Sequence, residues 1–211
     1  MSTYDRNKVM SNIANDDLPP LVKNFLTYLS TIKGESPATL YNYQSELRLL
    51  FKFLKVHKKI ISSETPYEDI FISDIDVDFI KTITLWDFYA FLSYVENIRK
   101  NGSKARSRKA GTIRVFFRYL CTKEKVINTN PAEELEKPKL KKVVPSYLTL
   151  AESKALLSVI KGPFKERDYC IIVLFLNCGF RLSELCSINI NSIRGDTLSI
   201  VGKGNKGATC C

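Results

Sequence analysis

Apolar residues recur at helical spacing in four successive stretches of this chain, each closed by a short polar turn or a connector, and the pattern predicts a small helical bundle. After Pro19-Pro20, the residues Leu21, Phe25, Leu29 and Ile32 share one helical face, and Gly34 ends that helix. Ser36 then precedes Pro37, a cap followed by a residue pre-set for the first helical position. Leu40, Tyr43, Leu47, Leu50 and Leu54 carry the second apolar stripe to about His57. Residues 60–83 follow neither the helical nor the strand period; they are acidic and β-branched, contain Pro66, and predict a long connector with one irregular turn. Thr84 caps a third helix lined by Leu85, Phe88, Leu92 and Val95, which fades near Arg99. Asn101-Gly102-Ser103 makes the next turn, and Ile113, Phe116, Phe117 and Leu120 mark a fourth helix.

The pattern changes at Asn130-Pro131. Residues 131–145 are rich in lysine and proline, with Pro138 and Pro145, and read as an extended basic linker. Thr149 with Glu152 three residues on forms a capping box ahead of Leu156 and Leu157, so a second domain opens there. It continues through a buried helix from about Lys165 to Asn177, a short helix from Arg181 to Ile188, and an alternating strand, Leu198-Ser199-Ile200-Val201, that turns at Gly202. Gly207-Ala208-Thr209-Cys210-Cys211 is expected to give nothing to pair or bury. The expected organisation is a tail over 1–17, a helical domain over 18–130, the linker over 131–145 and a smaller domain over 146–211.

Composition adds the charge. The chain of 211 residues is 45% hydrophobic and carries a net charge of +10, and residues 99–142 alone account for that excess with 14 Lys/Arg against 4 Asp/Glu. Between Arg99 and Arg118 stand eight cations and no acid. Without interleaved acids these cations lack intrahelical partners, and Gly102, Ser103, Ser107, Gly111 and Thr112 interrupt them with small or hydroxyl side chains suited to close approach of a phosphate backbone. A nucleic-acid-contacting face is therefore favoured over a merely solvated one. The candidate contacts are Lys100, Ser103, Lys104, Arg106, Arg108, Lys109, Thr112 and Arg114, continued by Lys139, Lys141 and Lys142 in the linker and Lys206 in the second domain.

Other function classes fit less well. The single histidine, His57, ends a helix beside Lys58-Lys59 and reads as a solvated cap-region residue without a partner for metal or triad chemistry. Cys170, Cys178 and Cys186 recur every eight residues with no CxxC pair, so no metal site is expected and reduced, buried thiols are the preferred reading. Trp86, Tyr41 and Tyr43 are expected to serve helix packing. The polar stretch Met1–Asp17 predicts no signal peptide, and the apolar run Tyr169–Leu176 is far shorter than the ~20 residues a membrane span needs, so the cytoplasm is the expected compartment.

Two short motifs bear on chemistry. Arg181, in Gly179-Phe180-Arg181-Leu182-Ser183-Glu184-Leu185, opens a helix and could hold two phosphate oxygens with its planar guanidinium, or simply pair with Glu184 or Asp168. Lys203 lies between two glycines in Gly202-Lys203-Gly204-Asn205-Lys206, where a hairpin tip could project an ammonium at a substrate or leave it solvated. The spacing is not that of a phosphate-cradling P-loop.

Nearly the whole chain resembles the tyrosine recombinases of the Xer and phage-integrase type. The resemblance rests on Ser36-Pro37-Ala38-Thr39-Leu40-Tyr41, Phe116-Phe117-Arg118-Tyr119-Leu120, Asn130-Pro131-Ala132, Pro138-Lys139, Leu148-Thr149, and the Arg181 and Lys203 motifs. It implies a mainly α protein: a four-helix core-binding (SAM-like) bundle followed by the N-terminal part of an α+β catalytic domain, the two together clamping double-stranded DNA. It also implies a mechanism without metal or small-molecule cofactor, an oligomer of like or related recombinase copies on the DNA, and catalytic roles for Arg181 in stabilising phosphorane-like charge and for Lys203 in protonating the leaving oxygen. The family's His-x-x-Arg motif, its following His or Trp and its nucleophilic tyrosine lie beyond the lysine hairpin, and the ten tyrosines here all precede Lys203. The expectation is a C-terminally truncated recombinase that binds DNA without cutting it, with an interrupted or frameshifted gene as the expected cause. The competing readings are a fragment of an active recombinase and a DNA-binding accessory or regulatory protein. A protein-interaction bundle unrelated to DNA is the outsider.

Overall fold

The structure is a computed structural model that describes residues 17–139, 144–195, 197–201 and 207–210. The chain divides into two compact units, Met1–Lys142 and Val143–Cys211.

In the first unit, helix α1 spans Pro20–Thr31 and α2 spans Pro37–His57. Pro20 and Pro37 start them, and the Ser36 hydroxyl accepts from the Thr39 amide at 3.3 Å, capping α2 as its sequence predicts. Gly34 lies between them at a φ of +65°, a conformation an L side chain rarely adopts. A short helix α3 covers Val77–Lys81, followed by α4 over Leu85–Asn97 and α5 over Ser103–Thr122. Helix α5 packs against α1, α2 and α4. Phe25 meets Phe116 at 5.2 Å and Tyr43 at 5.4 Å between ring centroids, and Phe88 meets Phe117 at 5.0 Å. Edge-to-face contacts of this kind add to the burial of the rings themselves, so aromatic packing helps fix how α5 seats against its neighbours.

Residues 60–83 differ from the expected connector. Ile70, Ile72, Ile75, Ile80 and Ile83 are all buried, and a 3-10 turn at Tyr67–Asp69 precedes α3. Partners distant in sequence hold the segment: Lys55 Nζ donates to the Phe71 carbonyl at 2.9 Å, Asp17 accepts from the amides of Ile72 and Ser73 at 3.0 and 3.1 Å, and the Tyr67 hydroxyl donates to the Leu49 carbonyl at 3.2 Å. These bonds let an irregular backbone bury isoleucines at no regular spacing. Two aromatic expectations also change. Trp86 is 78% exposed and touches Tyr89 edge-on at 5.6 Å, and Tyr41 is exposed, because both lie on helix faces turned away from the core; Tyr43 does pack against it. Beyond α5, Ile127, Ala132 and Leu135 are buried in the same core.

In the second unit, Thr149 and Glu152 form the expected capping box: the Thr149 amide donates to Glu152 Oε2 at 2.7 Å and the Glu152 amide to Thr149 Oγ1 at 3.3 Å. They open α6, Leu150–Ser158, which packs on α7, Lys165–Cys178. Helix α7 ends at Gly179, held at φ 62°. Helix α8, Leu182–Leu185, and a 3-10 turn at Ile190–Ser192 lead into an antiparallel sheet β1-β2-β3 formed by Ile193–Arg194, Thr197–Val201 and Gly207–Cys210.

Three expectations about this unit are corrected. Residues 207–210 do pair, with Ser199 opposite Thr209 and Val201 opposite Gly207, because a strand ladder needs only backbone groups. Helix α7 is not buried: among the described residues none of its side chains is fully covered, and Tyr169 and Leu176 are exposed although α6 packs on the helix. The cysteines of this unit are not the buried, reduced set expected: Cys170 and Cys186 are free but exposed, and Cys178 is disulfide-bonded.

Candidate nucleic-acid interface

The cationic segment is helix α5, and its exposed face meets the exposed face of α2 along two open grooves. The larger, of about 830 Å³, is lined by Thr39, Asn42 and Glu46 from α2, by Lys104, Arg108 and Arg118 among others from α5, and by Lys137. The second, of about 550 Å³, has Arg48 and Lys52 from α2, Arg99 and Asn101 from the α4–α5 turn, and Lys109. Glu46 and Arg108 line both. Local sequence explains the arrangement. Thr39, Asn42 and Glu46 recur at three- and four-residue spacing along the edge of the leucine stripe of α2, and Lys104, Arg108, Gly111, Val115 and Arg118 do the same on the side of α5 opposite its apolar stripe. Helix α5 starts at Ser103 with Gly102 in extended backbone before it, and Lys100 in the preceding turn is exposed with a φ of 55°.

The residues predicted to make contacts occupy different positions. Lys100, Lys104, Arg108 and Lys139 are exposed, and Ser103 is half-exposed. Arg106 turns toward α4 and pairs with Glu96 at 2.7 Å, its side chain 20% exposed and its Nε buried without a partner among the described residues. Arg114 Nη1 donates to the Leu135 carbonyl at 2.9 Å, which pins the chain beyond α5 along the helix and brings Lys137 to the groove beside Gly111. Lys109 and Thr112, expected on the contacting surface, are buried because both reach Glu46: the Thr112 hydroxyl donates to its Oε2, and Lys109 Nζ lies 3.8 Å from its Oε1. Burial holds the Lys109 ammonium below the usual lysine range; Glu46 opposes that shift, and Arg108 and Arg99 reinforce it. Arg108 Nε donates to Glu46 Oε1 at 2.5 Å while its side chain stays 59% exposed. Lys141, Lys142, Lys203 and Lys206 lie outside the described residues.

Arg181 precedes the first residue of α8. Its Nη1 donates to Glu184 Oε1 at 2.6 Å and its amide to Glu184 Oε2 at 2.8 Å, and the guanidinium is 71% exposed. Those bonds hold the Glu184 carboxyl below its usual range, the Arg181 amide contributing most. The pairing expected for an ordinary helix-start arginine is therefore present, and the exposed guanidinium remains accessible to an anion.

Sequence reading missed the α2 side of the grooves, namely Thr39, Asn42, Ser45, Glu46 and Arg48, and also Arg118 and Lys137. The missing signal was polar spacing on α2: hydroxyl, amide and acid at every third or fourth position read as an ordinary solvated face until α5 is laid beside it. Among the described residues no group of His, Cys, Asp and Glu could hold a metal ion, and no helix is long and apolar enough to cross a membrane.

Known proteins are similar to this chain in sequence and in fold. Residues 146–210 match the model of the phage integrase family. The tyrosine recombinase XerC of Caldanaerobacter subterraneus subsp. tengcongensis is 52% identical over 191 residues, covering 90% of this chain and 54% of that protein. The tyrosine recombinase XerC of Bacillus subtilis is 30% identical over 203 residues, covering 93% of this chain and 58% of that protein. The chain thus spans little more than half the length of the curated relatives it matches. Among solved structures, a lambda integrase(75-356) dimer bound to a COC' core site aligns with a TM-score of 0.59 at 18% identity, covering 90% of this chain and 60% of that one. A lambda integrase tetramer bound to a Holliday junction aligns with a TM-score of 0.60, also at 18% identity, covering 99% of this chain and 55% of that one. The helical bundle followed by a helix-and-sheet unit is the integrase arrangement, and by sequence and fold the chain belongs to the tyrosine recombinase family of the Xer and phage-integrase type.

Proposed function

We propose that this chain binds double-stranded DNA through the α2–α5 face of its first unit, as the DNA-holding part of a site-specific tyrosine recombinase. The observation that carries the reading is the larger cation-lined groove, in which Lys104, Arg108, Arg118 and Lys137 stand among Thr39, Asn42, Ser107 and Gly111. Lysine, arginine, hydroxyl and amide side chains are the groups that contact DNA phosphates, and glycine permits the backbone to come close. The relatives named as tyrosine recombinases and the lambda integrase structures bound to a core site and to a Holliday junction support the choice of DNA and of an assembly of several recombinase copies on it. In the same reading the protein works in the cytoplasm, where its DNA is, without a metal or small-molecule cofactor. Arg181 would hold the scissile phosphate, Lys203 would protonate the leaving oxygen, and Lys139, Lys141, Lys142 and Lys206 would add backbone contacts.

Fluorescence anisotropy of a labelled duplex at graded salt tests the binding claim. Neutralising roughly five phosphates predicts a loss of affinity of several hundredfold between about 50 and 200 mM salt. Replacing Lys104 and Arg118 together by Ala should reduce the slope of log affinity against log salt by about 2, whereas Arg181→Ala should leave binding within about twofold. Affinity that stays constant across that salt range would show that phosphate contacts do not drive the interaction.

A further inference from the structure

Glu46 is the one acid among the residues lining the larger groove, where a carboxylate should repel the phosphates the cations attract. It is also almost wholly buried, at 5% exposure, with both oxygens engaged from a helix 62 residues further along the chain: Oε1 by Arg108 Nε and more distantly by Lys109, Oε2 by Thr112. Removing a carboxylate from water is costly, and a buried ion pair is weak evidence of a gain in stability. The geometry suggests a different use. The bond to Glu46 uses Nε, the inner edge of the Arg108 guanidinium, and no described residue holds its outer Nη groups, while the side chain is 59% exposed on the ridge shared by the two grooves. A free surface arginine samples many rotamers and must surrender them on binding; one held by Nε has already done so and keeps its bidentate edge for a phosphate or a base.

We propose that Glu46 is a positioning residue for DNA recognition, fixing Arg108 through Nε so that the Nη edge meets the nucleic acid in a set orientation. The proposal rests on the DNA-binding reading above and adds to it that the charge of Arg108 is not sufficient: its orientation, set from α2, is what binds.

A double-mutant cycle on the full 211-residue chain tests this, read by duplex anisotropy at one fixed moderate salt concentration, with circular dichroism to confirm folding. Arg108→Ala should weaken binding about tenfold in the unmutated chain and less than about threefold in a Glu46→Gln background. Arg108→Lys, a surface change that keeps the charge but has no second edge to offer, should fall close to Arg108→Ala. If Glu46→Gln does not fold, the lysine variant decides alone. An equal cost of Arg108→Ala in both backgrounds, or full affinity with lysine at 108, overturns the positioning role while leaving DNA binding intact. Loss of salt-dependent binding in the unmutated chain overturns both.

Discussion

Asp87 shows how one side chain can serve a helix and a helix pair together. Its Oδ2 accepts from the Thr84 amide at 2.8 Å, the Thr84 hydroxyl at 3.0 Å and Lys58 Nζ at 3.0 Å, so it caps α4 and ties that helix to the end of α2. His57, expected to be a solvated cap-region residue, stacks on Phe53 and places Nε2 3.5 Å from Oδ1. Burial alone would raise the Asp87 pKa, but the bonds from Thr84 and Lys58 outweigh it and hold the carboxyl below its usual range. A folded-state pKa below the unfolded value contributes stability in full above the ordinary carboxylate range, and that contribution is lost as the pH falls through the lowered value. Asp87→Asn should therefore cost on the order of 1–2 kcal/mol near neutral pH, read by urea unfolding, and the gap to the parent should close in acid. A difference that persists unchanged at low pH would contradict an ionic role. The Thr84 cap was readable in the sequence because it is local; the tie to Lys58 spans 29 residues and was not.

Helix α5 holds core and candidate site on opposite faces of one element, and Gly111 marks where their demands diverge. Glycine inside a helix is about 0.5–1 kcal/mol less favourable than alanine. A Cβ at Gly111 would meet Lys137 Cε at 3.8 Å, an ordinary contact, so packing does not require the glycine. Gly111→Ala should stabilise the first unit by about 0.5–1 kcal/mol while weakening duplex binding several-fold, because the added methyl stands where a phosphate backbone would approach. Unchanged or tighter binding would remove Gly111 from the contact surface. The apolar stripe of α5 was visible from Ile113, Phe116, Phe117 and Leu120, but the burial of Lys109 and Thr112 was not, since it depends on Glu46 arriving from α2. The segment from Ile60 to Ile83 hid its structure for a related reason: Ile70, Ile72, Ile75, Ile80 and Ile83 pack into the core on an irregular backbone held by hydrogen bonds from distant residues, so no period betrays them.

On the scale of the chain, the two units differ in how completely they cover their own apolar surface. The first buries the rings of Phe25, Phe51, Phe88, Phe91, Phe116 and Phe117, whereas in the second no helix has a buried residue among those described. The roles proposed for Arg181 and Lys203 make up only part of a phosphate-handling set, and groups that act as a unit lose turnover together when some are missing. Incubated alone with a nicked suicide duplex, this chain should form no covalent adduct that survives SDS; one such band would show that a tyrosine among these residues can attack the phosphate. What the sequence determined by itself is whatever acts within a turn or two of helix: the apolar stripes of the bundle, the caps at Ser36 and Thr149, and the concentration of positive charge between Arg99 and Arg118. Only the tertiary structure decided which of those cations face outward and which are spent on Glu46, Glu96 or the Leu135 carbonyl, and that α2 supplies part of the lining of each groove. The physical reason is range: propensity and capping act between neighbours in the chain, whereas burial and charge pairing depend on which helix faces are brought together, a choice made by the packing of the whole core.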